Sequence, residues 1–426
     1  MTRFSVPVAC AVLVAVAACG ADSAIRSDPA GLPTVFDSTG DTLRARVQGV
    51  VDSAAVRRLV AEVRIAGEVN DSIIFGTAWM LTMGAAGDLV MFDGSSNQLL
   101  RFSRDGTLLG PLGAQGSGPG EYSQVSGLVA LPDSSWAVYD VGNSRLSFFG
   151  ANGAFRESWI LPSSTFFGQG MLATDRDGAL WIARFITAPD AGPGDAKESR
   201  TRVVDQGRGL ADTVLRPTLG VRAVQYRATN ESPRGRSSTA MGDPFAANEQ
   251  GVWSPDGHWV LLETGGYRLL FARRDGKPLV VERSAPPVTL DPDERAQQEE
   301  RILWTMRRTD PAWSWQGPAL STTRAPARSL FVGRDGSVWV SVSLPSVRIP
   351  EAERDAARPD SPSPARWHGR TAYEVFDRTG RFRGRIELPP RTSLYDADGD
   401  SVWGTQVNED DVPTLVRFRV TPGLGE

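Results

Sequence analysis

Trp136-Ala137-Val138-Tyr139-Asp140, then Asn143, Arg145, Phe149 and Asn152-Gly153, is the stretch on which the fold turns. Its aromatic and aliphatic residues fall in two short runs with a polar break between them, too brief for helices and suited to a pleated surface. Asn152-Gly153 then offers the positive φ that a tight hairpin requires. The same order stands upstream as Gly87-Asp88-Leu89-Val90-Met91-Phe92-Asp93, followed by Asn97, Arg101-Phe102 and Asp105-Gly106. Asp93 and Asp140, like Gly106 and Gly153, are 47 residues apart. A period of this length is that of a four-stranded blade, which cannot bury its faces alone and stacks against copies of itself.

Working outward, Trp136, Trp181, Trp259, Trp339 and Trp403 mark second strands in five units, and Leu89 marks the first. Turns after the third strand recur at Gly106, Gly153, Gly207, Gly276 and Gly380. The expectation is an all-β chain, a six-bladed β-propeller of four-stranded antiparallel blades, with the tryptophans packed between neighbours. The last unit, from Asp398 to Val420, is one strand short. Val60 to Ile65 is suited to complete it, so that the two ends of the body share a sheet and leave no open edge.

The 426 residues carry 46 Lys+Arg against 50 Asp+Glu, a net charge of -4, and are 41% hydrophobic. That composition describes a folded body and not a disordered one. With no basic excess to neutralise phosphates, nucleic acid is not an expected partner.

Residues 1–18 read as a signal peptide: Arg3 supplies the charge, and Val6 to Ala18 is apolar but too short to span a bilayer. Val16-Ala17-Ala18-Cys19 resembles the lipobox of bacterial lipoproteins. That resemblance implies lipid on Cys19 and attachment to a membrane. Gly20 in place of Asp implies the outer membrane of a two-membrane envelope, on its periplasmic or outward side. Residues 19–41, small and polar, read as a flexible tether, and 42–426 as one propeller domain. Cys10 lies inside the leader, so the mature body is expected to have no disulfide.

Asp140, Asn143 and Arg145 resemble the Asp-x-x-Asn-x-Arg of NHL repeats. Gly116-Ser117-Gly118-Pro119-Gly120-Glu121-Tyr122 is similar to the Gly-x-Gly-Pro-Gly-Glu-aromatic signature of bacterial six-bladed, TolB-like propeller lipoproteins. The likeness is close from Arg64 to Pro162. In blades three to six the Asn and Arg are not recognisable, and Tyr122 stands where Phe is commoner. What the resemblance implies is the fold and an envelope location more than an activity.

In such a ring the turns joining strands one to two and three to four lie on one face. Those joining two to three, and blade to blade, lie on the other. The first set is short, whereas the second holds the insertions, residues 186–200, 219–248, 287–328 and 344–370. Binding residues concentrate on loops carried by a rigid scaffold, so the elaborated face and its channel mouth are the expected site. One insertion is predicted helical, with Asp291 as N-cap, Pro292 in the first turn, Glu294 three residues after the cap, and Arg307-Arg308 before Pro311.

With only His258 and His368, and one cysteine in the mature chain, a zinc site of His ligands is excluded. No Gly-x-Ser-x-Gly or phosphate-cradling glycine fingerprint occurs, so no nucleotide cofactor is indicated. Calcium stays open as a possible cofactor, since Asp93, Asn97, Glu121, Asp140 and Asn143 carry the oxygens it needs. The alternative for the Asp and Asn residues is a network that holds their own turns. Glu121 and Tyr122, on a Gly-rich bend expected beside the channel, are the first candidates for ligand contact. Arg184, Arg307, Trp313 and His368 are borne on the insertions and suit an Arg and aromatic binding surface, with packing of the helix open to Trp313 as well. The expected function is a lipid-anchored envelope module, without a cofactor, that binds a peptide, protein or glycan. The alternative is a calcium-dependent hydrolase or lactonase with the metal in the channel.

Overall fold

The computed structural model describes residues 24–26, 32–52, 55–66, 76, 78–161, 172–186, 196–233, 235–356, 361–408 and 412–424. Cys19 and the leader lie outside them. Six four-stranded blades follow one another around a ring. Counted outward from the channel, blade one is Ala78–Met83, Leu89–Asp93, Gln98–Phe102 and Leu108–Pro111. Blade two is Val125–Ala130, Trp136–Asp140, Arg145–Phe149 and Phe155–Ile160. Blade three is Leu172–Thr174, Leu180–Ile186, Lys197–Val204 and Gly209–Leu215. Blade four is Glu249–Trp253, Trp259–Glu263, Arg268–Ala272 and Leu279–Arg283. Blade five is Ala327–Val332, Val338–Arg348, Trp367–Phe376 and Phe382–Glu387. Blade six is Thr392–Asp398, Ser401–Val407, Pro413–Thr421 and, from the other end of the chain, Val56–Ala66.

Apolar clusters bind each blade to the next, and all five marker tryptophans are fully buried. Trp136 packs with Val90, Phe92 and Leu99 between blades one and two. Trp181 and Trp259 join blades three and four, and Trp339 packs with Val402 and Val416 between five and six. Trp403 meets Leu89, Met91 and Phe102, which closes the ring from blade six back to blade one. Gly106, Gly153, Gly207, Gly276 and Gly380 all hold φ between 80° and 93°, as their hairpin turns demand.

Val56–Ala66 completes blade six, with Ile65 opposite Leu415 and Val63 opposite Arg417. It also runs parallel to Arg385–Glu387, so the sheets of blades five and six merge into eight strands. Part of the stretch expected as a tether over 19–41 is β-strand instead. Thr34–Thr39 and Thr42–Val47 form a hairpin that lies parallel to Leu279–Arg283 and extends blade four. Arg44 and Arg46 hold it there through Glu282. The reason lies just beyond 41: the two-residue alternation of Thr42–Val47 buries Ala45 and Val47, and Thr34–Thr39 pairs with that strand along its whole length.

The insertions gather on one face. The predicted helix spans Pro292–Thr309, with the Asp291 carboxylate accepting the Asp293 N–H and Arg307 and Arg308 in the last turn. Beside it stands an unanticipated hairpin, Gln225–Ser232 paired with Gly235–Gly242. Ile302, Met306 and Trp313 pack against Tyr226, Phe245 and Leu320, so helix and hairpin form a cap with its own core. On the opposite face short turns interlock. Arg176 of blade three pairs with Asp256 of blade four at 2.5 Å and donates to the Asp335 carbonyl of blade five at 2.7 Å.

Candidate functional site

Where the inner strand of blade five begins, the chain takes one extra residue. Ala327 pairs with Val342 and Ser329 with Ser341, leaving Arg328 as the bulge between them. A bulge re-aims a side chain out of the pleat. Arg328 is exposed, and partial burial of its head group, followed by the neighbouring Arg324 charge, pushes its ionisation below the usual guanidinium value. Among the described residues it forms no hydrogen bond and no ion pair.

Arg328 lines a cavity of about 370 Å³ between blades five and six, together with Ser329, Tyr373, Thr392 and Ser393. Burial pushes the Tyr373 phenol up to about 12, so it is an O–H donor at any ordinary pH. Arg324 also reaches this cavity, but its charge is already answered: it is bound by Glu294 of the helix and stacks over Phe245 at 5.2 Å. Ser346 donates to the same Glu294 carboxylate at 2.7 Å. The helix is bolted to blade five at further points, where Gln297 donates to the Pro364 carbonyl and Trp367 donates to Asp293. The cap is therefore a fixed wall of the cavity, supplying Pro244, Phe245 and Ala246.

A second space of about 780 Å³ runs outward from the first, sharing Thr371, Leu388, Thr392 and Ser393 with it. Leu344, Val347, Ile349, Pro350, Pro389 and Val407 make its walls largely apolar, and His368 stands exposed on its rim. No Phe, Tyr or Trp lines it. Cavity and groove together form one cleft, in which Arg348, Glu353, Arg370, Glu387 and Arg391 stand among the apolar walls of the groove.

Of the residues expected from sequence, His368 alone lines this cleft. Asp140 is fully buried and accepts the N–H groups of Ser123, Gln124 and Asn143, with the Asn143 amide at 2.6 Å. Asp93 does the same for Ser95 and Ser96. Asn97 takes a positive φ of 54° to close the blade-one turn, and Asn143 also donates to the Gly116 carbonyl. Glu121 does not face the channel. Its carboxylate turns back to accept the Gly118 N–H at 2.7 Å, while Arg145 clamps the carbonyls of Ser117, Gly118 and Glu121. Tyr122 is buried and its hydroxyl oxygen accepts the Leu99 N–H at 2.9 Å.

Trp313 is likewise buried, donating to the Arg227 carbonyl at 2.8 Å, and Arg307 ties the helix end to the Trp313 carbonyl. Arg184 lies on the second strand of blade three, away from both spaces, and residues 187–195 of that insertion fall outside the described chain. The five residues named for calcium thus fall in two turns, Asp93 with Asn97 and Asp140 with Asn143, and in the Gly-rich bend of Glu121, and among the described residues no three His, Cys, Asp or Glu groups converge as ligands of one metal ion.

No family model matches the chain, and no curated protein matches it by sequence. Among solved structures it is similar to a member of the DUF4221 family from Bacteroides vulgatus, with a TM-score of 0.49 and 10% identity over 85% of this chain and 98% of the other. A Bacteroides fragilis protein ascribed to export gives a TM-score of 0.47 at 12% identity, covering 89% of this chain and 99% of that one. A catalytically inactive virginiamycin B lyase from Staphylococcus aureus gives 0.37 at 10%, covering 82% of each. The six-bladed propeller stands on the strand pairing and inter-blade packing described above.

Proposed function

We propose that the protein is a lipid-anchored module of the bacterial cell envelope that binds its ligand, without turning it over, in the cleft between blades five and six. The observation that carries this reading is Arg328, a cation with no hydrogen bond or ion pair among the described residues, set beside hydroxyl groups where the inner cavity adjoins a groove of mixed apolar and charged lining. Binding sites of this volume are lined mainly by apolar groups with a few fixed polar ones. The anchor rests on the Cys19 lipobox and the placement in the outer membrane on Gly20.

The test is to probe the mature protein against peptide and glycan arrays, beside a variant in which Ser393→Trp fills the cleft. Binding that the tryptophan abolishes supports the reading; binding that survives it, or turnover of a lactone that requires calcium, overturns it. For the anchor, Cys19→Ser is expected to move the protein from the membrane to the soluble fraction, and its persistence on membranes through a high-salt wash would count against the lipid.

A further inference from the structure

We infer that the outer edge of blade four is the surface that meets the lipid bilayer, with the ring standing on that edge and blade one turned away. This rests on the lipid proposed for Cys19 and adds to it the side of the molecule that faces the membrane. Ala24–Arg26, the first described strand, pairs antiparallel with residues 34–36. It is the outermost strand of the blade-four sheet, and Thr34–Thr39 and Thr42–Val47 stand between it and Leu279–Arg283. Ala24 comes only five positions after Cys19. A chain extends by no more than about 3.6 Å per residue, so a lipid on Cys19 brings the bilayer within about 18 Å of this edge.

That reach is short beside the body. Neighbouring strands lie about 4.8 Å apart, so the six steps from Ala24–Arg26 to the inner strand Glu249–Trp253 cover about 29 Å. Blade one stands opposite in a ring of six, and its outer strand Leu108–Pro111 adds three steps, on the order of 43 Å in all before the channel is counted. The edge itself suits a lipid surface. Val50, 89% exposed, follows the hairpin, where the Gln48 N–H donates to the Pro33 carbonyl at 3.3 Å and so ties this corner to the start of the second strand. Of the charges on the hairpin and the strand beside it, Arg44 and Arg46 are answered by Asp37 and Glu282, so this group offers anionic headgroups no net negative charge. The cleft between blades five and six is a quarter turn round the ring from this edge, which keeps it clear of the bilayer and open to ligand.

The experiment adds the full mature protein, purified from bacterial membranes, to preformed phosphatidylethanolamine and phosphatidylglycerol vesicles that carry a rhodamine-labelled lipid. Cys19 is the one cysteine of the mature chain and the lipid occupies its thiol, so a single introduced cysteine takes fluorescein alone. Gln48→Cys reports from the blade-four edge and Leu109→Cys from the exposed outer strand of blade one. Energy transfer to the vesicle surface is expected to be at least twice as efficient from position 48 as from position 109. Twenty Gly and Ser residues inserted after Ser23 lengthen the tether and should bring the two efficiencies close together. Equal transfer in the parent, as a ring lying flat on either face would give, overturns the inference, as does a difference that the insertion leaves unmoved. The anchor fails separately: if the Cys19→Ser protein binds these vesicles as well as the parent does, the lipid and this orientation fall together, whereas anchored protein with equal transfer removes the orientation alone.

Discussion

Blades two and five share a frame and use it for opposite ends. Their inner strands, Val125–Ala130 and Ala327–Val332, both carry a bulge at the second residue, Ser126 in one and Arg328 in the other. Across the ladder from the residue before the bulge stands Asp140 in blade two and Val342 in blade five. In blade two the bulge residue is small and buried, and Gly127 beside it lies so close to Leu172 of blade three that no side chain would fit. Asp140 then ends the strand by collecting the N–H groups of a tight turn. In blade five Val342 brings no carboxylate to gather a turn, Ser343 after it donates its N–H to the Pro326 carbonyl and its hydroxyl to the Ala325 carbonyl, the strand runs on to Arg348, and the gap toward blade six stays open as the cleft. The lesson is that a propeller makes a site by withdrawing a turn's carboxylate and enlarging a bulge, without changing the sheet.

The sharpest way to break this comparison is to remove, in each blade, the polar side chain nearest to this position. Asp140→Ala leaves three N–H groups without their carboxylate in a buried turn, and is expected to cost about 3–5 kcal/mol, since charged acceptors and orphaned donors both count. Ser343→Ala deletes one hydroxyl from an interaction worth about 1 kcal/mol. Urea unfolding of the two variants measures the difference. Equal losses would mean that the carboxylate is not what closes the turn.

Blade six sharpens the contrast at its own bulge. Just past it Asp396 accepts the Met83 N–H of blade one at 3.0 Å, and burial pushes its carboxyl up to about 6, helped by the Asp398 charge and opposed by the Met83 and Ala397 N–H groups and Arg334. The proton is held more firmly in the folded state than in the unfolded chain. Between about pH 4 and pH 6 unfolding therefore releases a proton, and stability falls as pH rises through that window. Asp396→Asn, which keeps one acceptor and cannot ionise, is expected to gain about 2 kcal/mol at pH 8 and nothing at pH 4. Thermal melts at the two pH values check this; a gain of equal size at both would show that the carboxyl is ionised at neither or that its charge is not the cost.

The blades are legible in the sequence because their signal is local. A tryptophan, an Asp-led turn and a glycine with positive φ recur within one period, and each does its work within a few residues of itself. Even there the motif fades by synonym: Glu263 accepts the Gly265 and Gly266 N–H groups in blade four as Asp140 does in blade two, but with a longer side chain and no Asn behind it. The helix was legible for the same reason, from its cap and its first turn. The cleft was not. Arg328 matters because it has no partner, and that depends on Glu294, 34 residues earlier, having gone to Arg324 instead. Its bulge could have been sought at the second residue of each inner strand once Ser126 was placed, yet one chain gives no way to tell which bulge faces a filled gap and which an open one. Glu121 misled because a carboxylate on a glycine-rich bend looks presented, when the glycines are what let the bend fold back onto it.

That fold-back sets the smallest of the three effects. Were Glu121 a ligand contact, its removal would leave the fold within about 1 kcal/mol of the parent, as surface changes do. As a brace it accepts one backbone N–H, and a charged hydrogen bond of this kind is worth about 1.5–3 kcal/mol, reduced here because the side chain is only half-buried. Glu121→Ala is therefore expected to cost about 1–2 kcal/mol and to leave peptide binding in the blade five and six cleft unchanged, since the loop it holds packs on Arg145 of blade two. Glu121→Gln, which retains the acceptor without the charge, should recover much of the loss. Urea midpoints for the pair, read beside polarisation binding curves, decide the matter: a stable Glu121→Ala protein that no longer binds would return the loop of blade two to the working surface and undo the division between the two blades.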